Sequence, residues 1–233
     1  MNHHLSRFPL EPVIAVLFLG AILAGVVYSV ILARRRQQGL VALAQRLNLA
    51  FNPDKDYGLA ARFGFLNQLA QGENRYATNV LSGNYRQDEV LAFDFHYETH
   101  STDSKGHRQT NHHWFSFFIL TLPAELPELT IRRENFLLKI AQVFGYQDID
   151  FESAEFSRAF CVRSKDRKFA YDVCNARMIE YLLANRDLSL EIESEALALA
   201  FDRCLSAEKI EANLERLADI RSRLPDYLFA KNA

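Results

Sequence analysis

Asp94, His96, Glu98 and His100 alternate through the segment EVLAFDFHYETH, and His107, His112 and His113 follow shortly after. Imidazole nitrogens and carboxylate oxygens are the usual ligands of divalent metals, and alternate residues of a strand share one face. Same-face neighbours on a strand lie about 7 Å apart, however, and the consecutive His112 and His113 must point to opposite faces. The pattern is therefore read as the polar, solvated face of a hairpin. A metal site on Asp94, His96, Glu98 and His100 is the sharper alternative.

A second group, Arg158, Arg163, Lys165, Arg167 and Lys168, is interrupted only by Asp166 in its densest part. It could meet an anionic lipid headgroup or an acidic partner, since a tethered domain always has phospholipid nearby. A charged strand end and turn is the plainer reading. Phosphate loops, G-x-G-x-x-G, H-E-x-x-H, G-x-S-x-G and C-x-x-C are all absent. No catalytic residue and no cofactor is assigned, and the sequence leans away from an enzyme. Cys161, Cys174 and Cys204 are odd in number and match no zinc or redox spacing, so they read as reduced, buried thiols.

These side chains belong to a body that must be placed relative to a membrane. Residues 13–33, VIAVLFLGAILAGVVYSVILA, carry no charge and would form a helix roughly 30 Å long, enough to cross a bilayer. The chain divides into a tail at 1–12, a transmembrane helix at 13–33, a basic flank and juxtamembrane helix at 34–48, and a soluble domain at 49–233. Arg34, Arg35 and Arg36 close the apolar run, which places the domain on the cytoplasmic side and the N-terminus outside. A cleaved signal peptide fits badly, because the apolar run is too long and the basic cluster lies on the wrong side. Ala21, Gly25, Ser29 and Ala33 recur every fourth residue and make a small ridge along which another helix could pack.

The chain of 233 residues has a formal charge of −2. Arg7, Arg34 to Arg36 and Glu11 belong to the tether, and without them the 27 basic and 29 acidic residues leave a domain near −5. Nucleic-acid binding is driven by basic residues that release counterions, so nucleic acid is excluded as the expected partner. Hydrophobic residues at 49% and aromatic residues at 12% are those of a folded domain.

Periodicity predicts a short amphipathic helix over 39–49, a second around 59–69, and strands at 76–81, 89–99 and 113–122 forming a meander. Pro123 and Pro127 are expected to end that sheet segment, with a short strand at 130–132 after them. A helix over 134–144, a strand over 156–163, a long helix over 169–185, a hairpin from 188–193 and 197–201, and a final helix capped by Ser206 complete the chain. Strands and helices mix without regular βαβ alternation, so the fold class is α+β, one transmembrane helix followed by a meander sheet packed with helices.

The tethered layout, FDFHY at Phe93 to Tyr97, and DIDFESAEFSRAFCVRSKDRKFAYDV from Asp148 to Val173 resemble a family of uncharacterised bacterial single-pass membrane proteins. That resemblance implies a cytoplasmic α+β domain at the bacterial inner membrane and no known catalytic residues. Two functions are weighed. The favoured one is an anchored interaction or scaffold domain, an accessory subunit of a membrane complex with a protein partner or a second copy. The alternative is a lipid- or small-molecule-binding domain, in some forms enzymatic, at the inner leaflet.

Overall fold

A computed structural model describes residues 10–103, 106–133 and 148–230. The first element, α1, runs without a break from Leu10 to Leu47. The apolar segment and the juxtamembrane segment are thus one rod of 38 residues, about 57 Å long. No proline interrupts 34–47, and its Arg, Gln, Leu and Ala are good helix formers. Gly39, the one weak helix former there, sits where α1 approaches the start of the last helix, 3.3 Å from the Ala207 Cβ at its ideal Cβ position. From Leu17 to Ala33 the large apolar side chains are exposed, whereas Leu40, Leu43 and Ala44 are buried. Leu17–Leu47 meets the length and composition of a membrane-crossing helix.

After α1 come β1 (Ala50–Asn52), α2 (Tyr57–Arg62), β2 (Glu73–Tyr85), β3 (Asp88–Thr102) and β4 (Arg108–Arg133). They are followed by α3 (Ala154–Ala159), β5 (Phe160–Ser164), α4 (Arg167–Val173), α5 (Ala176–Ala184), β6 (Leu190–Ala200) and α6 (Ala207–Arg221). The six strands form one antiparallel sheet in the order β1-β2-β3-β4-β5, with β6 on β4 as well. The architecture is α+β, as the mixed periodicity predicts.

Alternation divides the sheet between two cores. Leu81, Val90, Ala92, Phe118 and Leu120 face the end of α1 and the helices α4 to α6. Phe93, Phe95, Phe115, Phe117 and Ile119 face α2 and the turns that follow it, with Leu66 and Leu69 fully buried there.

Several elements depart from the sequence periodicity, each for a local reason. Pro123 and Pro127 do not end β4. They fall where the ladder to β6 shifts register between Thr121, Leu126 and Leu129, so neither missing N–H breaks a regular pair. The facing strand accommodates the same irregularity through Ser194, at φ 52°, so 190–200 is one bent strand rather than a hairpin. Residues 154–159 are helical, not extended, because Ser153 Oγ accepts from the Phe156 N–H at 3.3 Å. The expected helix over 169–185 is two, since Asn175 Oδ1 accepts from the Met178 N–H at 3.2 Å and starts α5 afresh. Ser206 does precede α6, but its hydroxyl makes no capping bond to the helix backbone. The helix predicted over 134–144 lies outside the described residues.

Gly72 is required by conformation and space. Its φ is +63°, and a Cβ there would collide with the carbonyl oxygen of Glu98 and the ring of Tyr97. Gly72→Ala is expected to cost at least about 2 kcal/mol, read as a lowered midpoint in thermal unfolding of the detergent-solubilised protein.

Candidate functional site

The polar stripe of β3 is not a solvated face. Asp94 and His96 are 3% and 2% exposed, Glu98 is half-buried, and only His100 reaches solvent. Each meets a different environment.

Asp94 receives the anchor helix. Arg36 Nη1 and Nη2 donate to its two carboxylate oxygens at 2.6 and 2.8 Å, and Arg36 Nε donates to the Leu205 carbonyl at 2.8 Å. Asn79 Nδ2 donates to Asp94 at 3.0 Å, and Ser116 Oγ at 2.9 Å. The Ser116 oxygen in turn accepts from the Leu205 N–H at 2.9 Å. One carboxylate therefore joins α1, β2, β3, β4 and the segment before α6. Its side chain is 4% exposed and that of Arg36 is 24% exposed, so both charges are largely withdrawn from water and the planar fork meets the carboxylate in bidentate fashion.

Farther along the same face, His96 lies between aromatic rings. Its centroid is 4.5 Å from those of Tyr76 and Trp114, and Lys55 Nζ sits 4.1 Å above Tyr76. His96 Nδ1 is 3.1 Å from the Asn74 carbonyl, which can only accept, so the ring proton is on Nδ1. His96 Nε2 is 3.1 Å from His112 Nδ1, which is 3.4 Å from Glu98 Oε1. Asn74 Nδ2 donates to that same Glu98 oxygen at 2.6 Å. Burial lowers the His96 pKa, while the Asn74 amide, followed by the nearby imidazoles, holds the Glu98 carboxyl below its ordinary value.

The group that converges is thus His96, Glu98 and His112, drawn from two strands, rather than four residues along one. Asp94 is occupied by Arg36. His100 turns to Glu73 at 3.5 Å and to Thr110 at 3.2 Å. His113 is on the opposite face, stacked on Tyr97 at 4.5 Å, and His107 pairs with Asp103 in the hairpin turn. The cross-strand pairs Glu98↔His112 and His96↔Trp114 make the arrangement, and only the hairpin register could have disclosed it.

The basic group is spread over α3, β5 and α4. Arg158 Nε donates to the Ala154 carbonyl, Arg163 pairs with Asp148 at 2.7 Å, and Lys168 pairs with Asp172 at 3.2 Å. Lys165 and Arg167 flank the Asp166 cap of α4, and the Lys165 charge acts on Glu193. A cleft of about 350 Å³ opens elsewhere, between β6 and α6, lined by Arg133, Ser189, Arg203, Lys209 and Arg216 among others. Neither the β3 stripe nor the basic group belongs to its wall. Ala21, Gly25, Ser29 and Ala33 share one ridge of α1, where a Cβ on Gly25 would meet nothing within 4 Å.

One cluster escaped the sequence because its members are distant in the chain. Glu191 is buried at the sheet and accepts from the Asn67 N–H and Nδ2 at 2.7 and 2.8 Å, with Arg132 at 3.9 Å. Beside it, burial and then the charges of Glu128 and Glu191 push the Glu193 carboxyl up to about 7.

No protein-family model and no curated protein matches this sequence. The fold is similar to that of the mycobacterial trehalose monomycolate transport factor A, TtfA, known from a crystal structure. The TM-score is 0.61 over 82% of this chain and 97% of that one, at 13% sequence identity, which makes the likeness one of fold.

Two outcomes follow from these charges. Removing one partner of a buried ion pair strands the other, so Arg36→Ala or Asp94→Ala is expected to cost about 3–5 kcal/mol in thermal unfolding. The double replacement R36M/D94L should cost less than either single change. A folded pKa raised above the unfolded carboxyl value favours folding at low pH, and that contribution is lost as pH rises through about 7. Glu193→Gln is therefore expected to leave the melting temperature unchanged at pH 4, below the unfolded carboxyl value, and raise it at pH 8. About 1 kcal/mol, after allowance for partial exposure, corresponds to roughly 2–4 °C.

Proposed function

We propose that the protein is a membrane-anchored accessory subunit of a transport system, presenting its α+β domain to a larger membrane protein in a fixed attitude. The observation that carries this reading is the joint between anchor and domain. An enzyme needing only confinement to a membrane is served by a flexible tether, which leaves every orientation open. Here α1 is helical through 34–47 and its Arg36 is clamped by Asp94, so the domain turns with the anchor. The fold likeness to a transport factor supports the choice of system. The arginines after the apolar run favour a cytoplasmic domain, and the resemblance to bacterial single-pass proteins favours the inner membrane.

The direction of α1 adds which face is offered. Leu49 lies against Gly83, whose ladder partner is Val90, whereas Arg36 reaches Asp94. Helix α1 and strand β3 therefore run in opposite senses. The end of β3 beyond Asp94 points back toward the bilayer, carrying His96, Glu98 and the neighbouring Trp114. The half-exposed Trp114 and Tyr57, with Lys55, suit the headgroup level or the cytoplasmic rim of a partner.

The test is chemical cross-linking and purification of the full-length protein from native membranes. A multi-span membrane protein in stoichiometric amount is expected. Inserting a flexible Gly-Ser segment between Ala33 and Arg34, which leaves Arg36 and Asp94 intact, should abolish its capture without releasing the protein from the membrane. Capture unaffected by the insertion would overturn the fixed-attitude reading. Purification of the chain alone with a bound lipid or metabolite would favour a ligand-binding domain instead.

A further inference from the structure

We propose that His96 Nε2, His112 Nδ1 and Glu98 Oε1 form a binding site for a divalent transition metal of the zinc type. The inference rests on side-chain geometry and not on the proposed role in transport. Each of the three residues offers a ligand atom within 4.8 Å of the other two, and His112 Nδ1 lies 3.1 Å from His96 Nε2 and 3.4 Å from Glu98 Oε1. Ligands about 2.0–2.1 Å from a tetrahedral zinc ion are separated from one another by about 3.3–3.4 Å, so these distances are close to the edges of such a tetrahedron. Two imidazoles and one carboxylate leave the fourth position for water or for an anionic oxygen of a ligand.

The protonation pattern points the same way. The Asn74 carbonyl fixes the His96 proton on Nδ1, leaving the Nε2 lone pair directed at His112 Nδ1. That nitrogen also faces the Glu98 carboxylate. Three electron-rich atoms at such distances need a hydrogen or a metal ion between them, either the His112 ring proton placed on Nδ1 or a divalent cation. Asn74 holds two of the three ligands at once, His96 through its carbonyl and Glu98 through its amide. It does so from a left-handed backbone conformation, φ 47°, that costs energy for a residue with a side chain. Tyr76 and Trp114 cover the His96 ring, while the exposed His112 side chain gives an ion access.

The experiment uses the full-length, tag-free protein in detergent, stripped with chelator, with His3 and His4 replaced by alanine so that the tail imidazoles do not compete. Calorimetric titration with Zn²⁺ and visible spectroscopy with Co²⁺ are expected to give one ion per chain, micromolar or tighter affinity, and the absorption of four-coordinate Co²⁺. H112A and E98Q should each weaken binding by more than about 100-fold, and N74A by about 10–100-fold. H100A, on a residue outside the triad, should leave the affinity within about twofold, and circular dichroism checks that each variant is folded. Binding only at millimolar Zn²⁺ would overturn the site and leave a plain hydrogen bond between the two imidazoles. Equal losses from H100A and H112A would also overturn it, as binding by scattered surface imidazoles.

Discussion

The structure depends on one charge pair in an unusual place. Arg36 is the third residue after an uncharged apolar run, where a basic side chain ordinarily extends into headgroups and water. Arg34 and Arg35 are exposed, as that position predicts, while Arg36 turns inward and spends three of its donors on Asp94 and Leu205. Withdrawing both ions from water is unfavourable, and only complete hydrogen bonding offsets it. Asn79 and Ser116 supply further donors to the carboxylate, and Ser116 is itself tied to the chain entering α6. The consequence is geometric more than energetic: the end of the anchor, the middle of the sheet and the last helix are fixed by one group.

Burial around this knot explains why one polar stripe has two characters. Toward Val90 the face of β3 is covered by α1 and α6 and is apolar. Beyond Asp94, rings replace helices as the cover. Tyr76, Trp114 and His112 enclose His96, and the stripe then passes through Glu98 to the exposed His100. Polar residues on a strand face therefore do not report solvent by themselves, because aromatic side chains from neighbouring strands can bury them as well as a helix can.

Local signals were legible where one segment decided the outcome. The uncharged run 13–33, the alternation of β3 and its pairing with β4, and the apolar stripe of α6 all follow from spacing alone. What could not be read was set by contacts across the chain. The partner of Asp94 is 58 residues away, and the ligand set near Glu98 depends on a ladder register. Capping by Ser153 and Asn175 outweighed the apolar periodicity of short segments, and Pro123 and Pro127 were absorbed by a paired irregularity in two strands. In each case a few hydrogen bonds chose between conformations that hydrophobic patterning left nearly equal.

The unbroken passage of α1 from apolar rod to domain core gives chain length an angular meaning. Each helical residue turns the axis by about 100° and advances it about 1.5 Å, so one residue added or lost between Ala33 and Arg36 would swing the whole sheet by more than a right angle about its stalk. Seven residues, close to two full turns, would restore the bearing and change mainly the standoff from the bilayer. On the proposed membrane-anchored reading, the helical stalk is an indexing shaft that sets the compass heading of the domain in the plane of the membrane.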